Sequence, residues 1–311
     1  MPRLLLIGAL PDTLHRRLAE KHDLVPLWEA EDVPRFLAQN AGQFDVGVTM
    51  AKYPLPPGSL EALRGKALVS YGVGTENLQA AHAAALGVQV SNTPDTATTA
   101  VAEMALGLML AVSRRLVEGD RHVRSGDWER APFGVATQIS GKRVGIVGLG
   151  RIGRTVARMV QAFDMTVGYT GRQPQPEVTL PYFDSTTKLA SWCDYLVLSC
   201  PGGPATHHLI STEVLHALGP RGYVINVARG SVVDEAALIT ALRQGTIGGA
   251  GLDVYESEPV VANALRECQN VVLTPHVAAV THEGRQAMSD LVVQNLEHFL
   301  CTGRVVHAVR P

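Results

Sequence analysis

The feature that most constrains the fold is a regular alternation between short apolar runs and helical patterns along all 311 residues. The runs beyond residue 143 are apolar almost without interruption, as expected for strands that helices cover on both faces. We predict strands at residues 3–8, 24–27 (a weaker run), 45–49, 68–71, 88–90, 144–148, 166–169, 195–199, 223–227, 250–254 and 271–273. Repeated β-α units form parallel sheets with right-handed crossovers. At about 150 residues per domain, the chain is predicted to be α/β, with two doubly wound parallel-sheet domains.

Two segments near the middle of the chain depart from this alternation. Residues 97–117 carry small and apolar side chains on most faces, which predicts one long buried helix. Residues 121–140 contain Gly126, Trp128 and Pro132 without a clear period. A long irregular excursion in a compact protein is usually functional or part of an interface.

Composition excludes several classes of protein. There are 27 basic and 29 acidic residues with no Lys/Arg run, so nucleic acid is not an expected partner. The apolar stretch 104–112 is too short to cross a bilayer of about 30 Å, and the opening run predicts a strand rather than a signal peptide. No membrane partner is therefore expected. The sequence contains four cysteines that are far apart and form no CxxC pair: Cys193, Cys200, Cys268 and Cys301. This pattern favours a reduced, cytoplasmic protein.

A glycine motif, Gly148-x-Gly150-x-x-Gly153, lies between a predicted strand and a helical pattern. In a dinucleotide-binding loop the first glycine permits the tight turn, the second lets the pyrophosphate approach the backbone, and the third allows close helix–strand packing. The helix that follows presents free N–H groups and the positive end of its dipole to phosphates. The context on both sides predicts a dinucleotide site rather than an ordinary glycine-rich turn.

The end of the next strand indicates which dinucleotide is bound. An NAD site usually has Asp or Glu about 20 residues after the first glycine, to bond the ribose 2′-hydroxyl. This chain has Thr170-Gly171-Arg172 there instead. Thr170 can donate a hydrogen bond, Gly171 leaves room, and Arg172 can pair with a 2′-phosphate. The sequence favours NADPH with NAD as the alternative, unless Arg172 is simply a solvated loop residue.

Three polar residues follow three of the later strands, where the crevice of such a sheet binds ligands: Arg229, Glu258 and His276. Arginine can bind a carboxylate and polarise a neighbouring carbonyl. Histidine can give or take a proton when a hydride moves to or from carbon. A nearby glutamate would favour the protonated imidazole and orient its ring. Each residue alone could be an ordinary surface or capping residue, but together they predict a catalytic site.

The remaining candidates are weaker. Asp253 is expected to bond the nicotinamide carboxamide, with capping of a turn as the alternative. Cys200 lies near the expected nicotinamide, but a buried, unreactive cysteine is the simpler interpretation. His207 and His208 are adjacent, so their side chains are expected to diverge, with no cysteine or carboxylate at ligand spacing. No metal site is therefore predicted.

Taken together, these motifs resemble the D-isomer-specific 2-hydroxyacid dehydrogenases. The resemblance spans most of the chain and rests on residues 144–153, Asn226-Val227-Ala228-Arg229-Gly230, Gly251-Leu252-Asp253-Val254, Glu258-Pro259 and Thr274-Pro275-His276, together with 72–75, 92–94 and 102–103. The tip at 170–172 resembles the NADPH-linked glyoxylate/hydroxypyruvate reductases. Glu258 stands where the formate dehydrogenase branch has glutamine, so formate is not expected as a substrate.

The resemblance implies a complete set of roles. Arg229 would bind substrate, His276 would be the acid/base and Glu258 its partner, while backbone N–H groups of Val73 and Gly74 would hold the substrate carboxylate together with Arg229 and His276. We expect cofactor contacts from Gly148, Leu149, Gly150, Arg151, Ile152, Gly153, Thr170, Gly171, Arg172, Cys200, Pro201, Thr206, Val227, Ala228, Asp253, His276 and Ala278. The implied reaction is NAD(P)H-dependent reduction of a small 2-oxo acid, with glyoxylate or hydroxypyruvate favoured.

The resemblance also implies a domain arrangement. Residues 1–97 and 282–311 would form a flavodoxin-like substrate domain, residues 98–281 a Rossmann nucleotide domain, with a cleft between them. Residues 112–140 would be the arm of a homodimer. Because the sequence ends at Pro311, no regulatory extension like that of many phosphoglycerate dehydrogenases is expected. The alternatives are another substrate, such as D-lactate or phosphoglycerate, or a dinucleotide-sensing protein like the C-terminal-binding-protein corepressors.

Overall fold

The computed structural model describes residues 1–50 and 52–310, so Ala51 and Pro311, where the sequence ends, lie outside the described residues. The chain divides into two compact units. Unit 1 comprises Met1–Ala97 and His282–Pro311, and unit 2 comprises Thr98–Thr281. The functional roles that the sequence assigns to the two units remain predictions.

The described part of unit 1 contains a parallel sheet in the order β2-β1-β3-β4-β5, the flavodoxin-like order. Its strands are β1 (Arg3–Leu6), β2 (Asp23–Pro26), β3 (Val46–Met50), β4 (Ala67–Tyr71) and β5 (Gln89–Ser91). Its helices are α1 (Asp12–Ala19), α2 (Val33–Gln39), α3 (Ser59–Ala62), α4 (Ala80–Ala85) and, after unit 2, α12 (His282–Thr302).

Both faces of the central strand β1 are buried, which explains its three consecutive leucines. In β1, Leu4 and Leu6 belong to the cluster that includes Val292 and Leu296 of α12. Leu5, between them, belongs to the cluster on the opposite face. The alternation of side chains along the strand thus requires apolar residues at every position.

Unit 2 contains a parallel sheet in the order β11-β10-β9-β8-β6-β7. Its strands are β6 (Arg143–Val147), β7 (Thr166–Thr170), β8 (Tyr195–Leu198), β9 (Tyr223–Asn226), β10 (Gly249–Leu252) and β11 (Val271–Leu273). Its helices are α5 (Thr98–Ser113), α6 (Leu116–Arg124), α7 (Arg151–Gln161), α8 (Thr186–Trp192), α9 (Thr212–Leu218), α10 (Glu235–Gln244) and α11 (Asn263–Arg266).

The outer edge of β7 completes the Rossmann order. Tyr182 forms an isolated parallel bridge with Tyr169, supported by a 2.8 Å hydrogen bond from the Phe183 N–H to the Tyr169 carbonyl. With this bridge as a vestigial edge strand, the positions from the bridge to β10 follow the usual order 3-2-1-4-5-6, and β11 adds a seventh position beyond β10. The strand order reverses between β6 and β8, so the switch point lies at the end of β6, where the glycine loop begins. The prediction of two doubly wound α/β domains is confirmed.

The prediction of one helix over residues 97–117 is wrong. α5 ends at Ser113, and α6 begins at Leu116 after Arg115 adopts a left-handed φ of 53°. The Arg115 guanidinium is held there by Glu118 and lies over the ring of Phe133, 4.6 Å from its centroid. The irregular segment expected from residue 121 is correspondingly shorter, because α6 continues to Arg124. No helix among residues 1–50 and 52–310 is long and apolar enough to cross a membrane.

Candidate active site

The glycine loop of unit 2 has the geometry that a dinucleotide requires. Gly148 has a φ of 92°, and a Cβ there would lie 2.7 Å from the Cα of Cys200. A Cβ on Gly153 would lie 2.5 Å from the carbonyl oxygen of Gly148. A Cβ on Gly150 would have nothing within 4 Å, and no side chain caps the start of α7. The first and third glycines therefore allow close packing, while open space and helix N–H groups remain beside the second, as a pyrophosphate needs.

The other predicted contacts around this loop occupy different environments. Leu149 is buried, whereas Arg151 and Ile152 form the first turn of α7. Thr170 is the buried last residue of β7 rather than part of an exposed tip. The exposed part of the tip is Gly171, with open space around its Cα, and Arg172. Of the predicted pair, Arg172 is thus the accessible group.

The expected cofactor contacts after β8 and β9 lie at the same edge of the sheet. Cys200 is buried where β8 ends, and burial raises the pKa of its thiol to about 11, so it stays protonated and unreactive. The Pro201 carbonyl accepts a 2.8 Å hydrogen bond from the Thr206 hydroxyl, which closes the following turn. Val227 and Ala228 are buried where β9 ends.

The turn that carries Arg229 is held by Asn226, which sequence reasoning did not single out. The Asn226 amide donates to the Arg229 carbonyl (3.0 Å) and accepts from the Ala228 N–H (3.0 Å). The guanidinium of Arg229 donates to the Ala228 carbonyl at 2.7 Å. A Cβ on Gly202 would lie 2.9 Å from Cγ of Arg229. The detectable signal was a buried polar residue ending an apolar strand.

The predicted acid/base pair is formed. His276 Nδ1 lies 2.5 Å from Glu258 Oε2, with side-chain exposures of 45% and 31%. The other oxygen of Glu258 accepts a 2.9 Å hydrogen bond from the Tyr255 N–H. His276 adopts a left-handed φ of 52°, which is uncommon outside glycine. The contact with Glu258 therefore fixes the orientation of the imidazole ring through Nδ1.

Charge around Glu258 keeps it ionised. Burial raises the pKa of its carboxyl. The hydrogen bonds from His276 and the Tyr255 N–H, with the positive charges of His276 and Arg229, lower that pKa by more than burial raises it, so the net shift is downward. Burial and the charges of Asp253 and Glu258 raise the pKa of Tyr255 to about 12. The protonated phenol donates to the Thr274 carbonyl at 2.8 Å. Tyr255, also missed in the sequence, thereby ties the Glu258 loop to the His276 loop.

Asp253 holds the His276 loop in place. Asp253 is only 1% exposed. Its carboxylate accepts hydrogen bonds from the Thr274 hydroxyl (2.6 Å), the Val277 N–H (2.9 Å) and the Ala278 N–H (2.9 Å). Its own carbonyl accepts from the His276 N–H at 2.9 Å. Of the two interpretations of Asp253, these contacts support the structural one. The nicotinamide contact remains a prediction.

The predicted carboxylate-binding loop lies in unit 1, after β4. The Asn92 amide donates to the Val73 carbonyl at 2.8 Å. Gly72 exchanges hydrogen bonds with Thr93, one through its N–H and one through its carbonyl, each 3.1 Å long. Val73 is 41% exposed, and Gly74 follows it. The loop is therefore anchored through the carbonyls of Gly72 and Val73 and through the Gly72 N–H.

The prediction that His207 and His208 diverge is wrong. Their rings are stacked with centroids 3.9 Å apart, and Nε2 of His208 lies 2.6 Å from a carboxylate oxygen of Glu256. The reason is backbone conformation, because His208 has a left-handed φ of 50°. In an extended chain, adjacent side chains point to opposite sides.

Comparison with known proteins gives a consistent result. Residues 106–278 match the model of the family described as D-isomer specific 2-hydroxyacid dehydrogenase, NAD binding domain. A hydroxyphenylpyruvate reductase of Plectranthus scutellarioides is 43% identical over 297 residues, 95% of each chain. A glyoxylate/hydroxypyruvate reductase A of Arabidopsis thaliana is 40% identical over 297 residues, again 95% of each chain.

A solved structure extends the similarity to the whole fold. The NADPH-dependent glyoxylate/hydroxypyruvate reductase of Sinorhizobium meliloti, in complex with NADP and malonate, has a TM-score of 0.90 and 38% identity. The match covers 99% of this chain and 96% of that chain. The predicted family, its NAD(P)-linked oxidoreductase activity and its glyoxylate/hydroxypyruvate reductase branch are confirmed. This chain belongs to the D-isomer-specific 2-hydroxyacid dehydrogenases.

Proposed function

We propose that the protein reduces a small 2-oxo acid, with glyoxylate and hydroxypyruvate favoured, to the D-2-hydroxy acid, and that NADPH is its preferred reductant. The observation that carries this proposal is the 2.5 Å pair between His276 and Glu258 in the unit that holds the glycine loop. The names of relatives support a 2-oxo acid as the substrate class, because they include reductases of glyoxylate, hydroxypyruvate, hydroxyphenylpyruvate and 2-ketogluconate.

Arg229 is the proposed substrate anchor. Its guanidinium offers several donors in a plane, which suits a carboxylate and a neighbouring carbonyl oxygen. The Asn226 hydrogen bonds and the close approach of Gly202 restrict the turn that carries it. We propose that the N–H groups of Val73 and Gly74 also donate hydrogen bonds to the substrate carboxylate.

His276 is the proposed proton donor. Glu258, which its lowered pKa keeps ionised, contacts Nδ1 of His276, so the proton is proposed to leave from Nε2. As the carbonyl oxygen gains negative charge, Arg229 stabilises it and His276 protonates it. A nicotinamide cofactor, when bound, supplies the hydride that adds to C2. Proton and hydride together convert the 2-oxo group to a 2-hydroxyl group.

The preference for NADPH rests on the tip after β7. Gly171 leaves open space, and Arg172 is exposed beside it. Glu177, an acidic residue five positions after Arg172, is paired with Arg154 at 2.6 Å. A cationic tip without a carboxylate suits a 2′-phosphate better than a free 2′-hydroxyl.

The direct test is a panel of initial rates. NADPH and NADH oxidation would be followed with glyoxylate, hydroxypyruvate, pyruvate and 4-hydroxyphenylpyruvate in parallel. The expected result is fastest turnover with NADPH and glyoxylate or hydroxypyruvate. Faster turnover of 4-hydroxyphenylpyruvate would replace the small substrate by an aromatic one. Tight NADPH binding without turnover of any acid would favour the dinucleotide-sensing alternative.

We also propose a homodimer formed by the arm at residues 112–140. No residue of α6 is buried, and the arm exposes large apolar side chains: Leu116 (55%), Val117 (40%), Val123 (56%), Trp128 (65%) and Val135 (95%). Apolar area of this kind is typical of an interface. In analytical ultracentrifugation, Val123→Glu should sediment as a monomer. The control is Val306→Glu, which replaces an exposed valine outside the arm and should remain dimeric.

A cytoplasmic location is proposed on separate grounds. All four cysteines are free in the structure. Free thiols are typical of proteins in reducing compartments. Fractionation of cells that express the tagged full chain would test the location.

A further inference from the structure

Three potential metal ligands that are not part of the proposed catalytic set converge on one side of unit 2. His207 and His208 follow the short helical turn Pro204–Thr206 after β8, and Glu256 lies in the loop after β10. One ligand atom from each residue lies within 4.8 Å of the other two. Among residues 1–50 and 52–310, this group combines two imidazoles with a carboxylate at metal-binding distance.

The backbone brings these side chains together. The left-handed φ of 50° at His208 turns both rings to the same side, where they stack with an angle of 23° between their planes. The His208 N–H donates to the Ser231 carbonyl at 2.8 Å. The Glu256 N–H donates to the carboxylate of Glu235 at 3.2 Å. Both loops are thus tied to neighbouring segments before any ligand binds.

The donor set selects a class of ion. Two imidazole nitrogens and one carboxylate oxygen suit zinc and similar first-row dications, whereas magnesium and calcium prefer oxygen ligands alone. Zinc bonds of about 2.1 Å in a tetrahedron place ligand atoms about 3.4 Å apart. The most distant pair of ligand atoms needs to close by about 1.4 Å at most and the His208–Glu256 pair to open by about 0.8 Å, which small side-chain rotations supply.

The present contact within the group also fits this interpretation. His208 Nε2 and Glu256 Oε1 are 2.6 Å apart, each side chain being 36% exposed. A cation that enters between these two atoms gains His207 as its third ligand and keeps water in the fourth position.

We propose that His207, His208 and Glu256 bind one zinc ion or a similar first-row transition-metal dication. The ion links the loop after β8 to the loop after β10, across the end of β9 that carries Arg229. It therefore fastens together two of the loops that border the active-site edge of the sheet. The site is independent of the catalytic proposal, because binding requires neither turnover nor cofactor.

Isothermal titration of the untagged full chain with zinc chloride, at about pH 8 where free imidazole is neutral, tests this site. Wild type is expected to bind one equivalent. His207→Ala, His208→Ala and Glu256→Gln are each expected to weaken that binding by at least ~10–100-fold, the loss typical of removing even an outer partner of a metal ligand. Circular dichroism of each variant shows whether it is folded.

Two matched controls locate the binding. His216→Ala removes an exposed histidine elsewhere in unit 2, and His276→Ala removes the histidine of the other His–Glu pair. Both should keep the single equivalent at wild-type affinity. Absence of zinc binding by wild type, retention of it in folded His207→Ala, or its loss in His276→Ala would each overturn the proposal.

Discussion

Replacing Asp253 by asparagine tests how the position of His276 is determined. The Asp253 carboxylate accepts three hydrogen bonds from the segment around His276, two of them from the backbone N–H groups of Val277 and Ala278. An amide of the same shape keeps one oxygen and turns its NH₂ group toward a remaining N–H. At least one backbone N–H and one amide group then lose their partners in a site that is 1% exposed.

The magnitude follows from these lost partners. Each buried, unsatisfied polar group costs about 1–3 kcal/mol, so the substitution is expected to destabilise unit 2 by roughly 2–4 kcal/mol. For a domain of this size, that lowers the transition temperature by about 5–15 °C. A shift of the His276 loop by about 1 Å would also lower kcat by up to ~100-fold.

The assay is thermal unfolding of Asp253→Asn alongside steady-state kinetics. The matched control is Asp234→Asn, because Asp234 caps the start of α10 by accepting from the Ala237 N–H at 2.9 Å. Asparagine caps helices about as well as aspartate, so the control should stay within about 0.5 kcal/mol of wild type. Equal transition temperatures for the two variants would refute the argument from lost acceptors.

Four further outcomes are expected. His276→Ala should lower kcat by about 10²–10⁴-fold, as for a positioned acid/base; near wild-type turnover would exclude the assigned role. Arg172→Ala should raise KM for NADPH while sparing NADH, and equal losses with both would show that Arg172 does not contact the 2′-phosphate. Gly230→Ala should destabilise the protein by at least about 3 kcal/mol in urea unfolding, because its Cβ would lie 1.9 Å from backbone atoms of Tyr255. The control is Gly107→Ala, which should be neutral or stabilising because a Cβ on exposed Gly107 meets nothing within 4 Å. The pKa of Glu258 is lowered in the fold, so its contribution to stability is present above the ordinary carboxyl pKa and is lost as the pH falls through the lowered value. The difference in unfolding free energy between wild type and Glu258→Gln should therefore shrink on acidification. A difference that grows would contradict the ion pair.

Several features were predictable because they depend on local pattern. Buried parallel strands are largely apolar on both faces, so the strands of both sheets could be located from the pattern of apolar runs. The glycines of the nucleotide loop are identifiable because each answers a steric demand of the turn: Gly148 and Gly153 have no space for a side chain. Arg229, Glu258 and His276 could be grouped because parallel strands end at one edge of the sheet.

Other features could not be predicted because they depend on single backbone angles. The break between α5 and α6 comes from the left-handed conformation of Arg115, which helix periodicity does not reveal. The same conformation at His208 stacks two rings that an extended chain would separate. A non-glycine residue adopts this angle only where surrounding contacts hold it there.

The sequence by itself therefore determined the α/β class, the nucleotide loop and the residue types at the strand ends, since these follow from periodicity, glycine sterics and parallel topology. The tertiary structure alone decided which partners those residues have. Asp253 bonds the His276 loop, Tyr255 joins two loops, and Glu256 meets His208. Each of these contacts joins segments separated along the chain, and only the packing of neighbouring strands sets the distance between them.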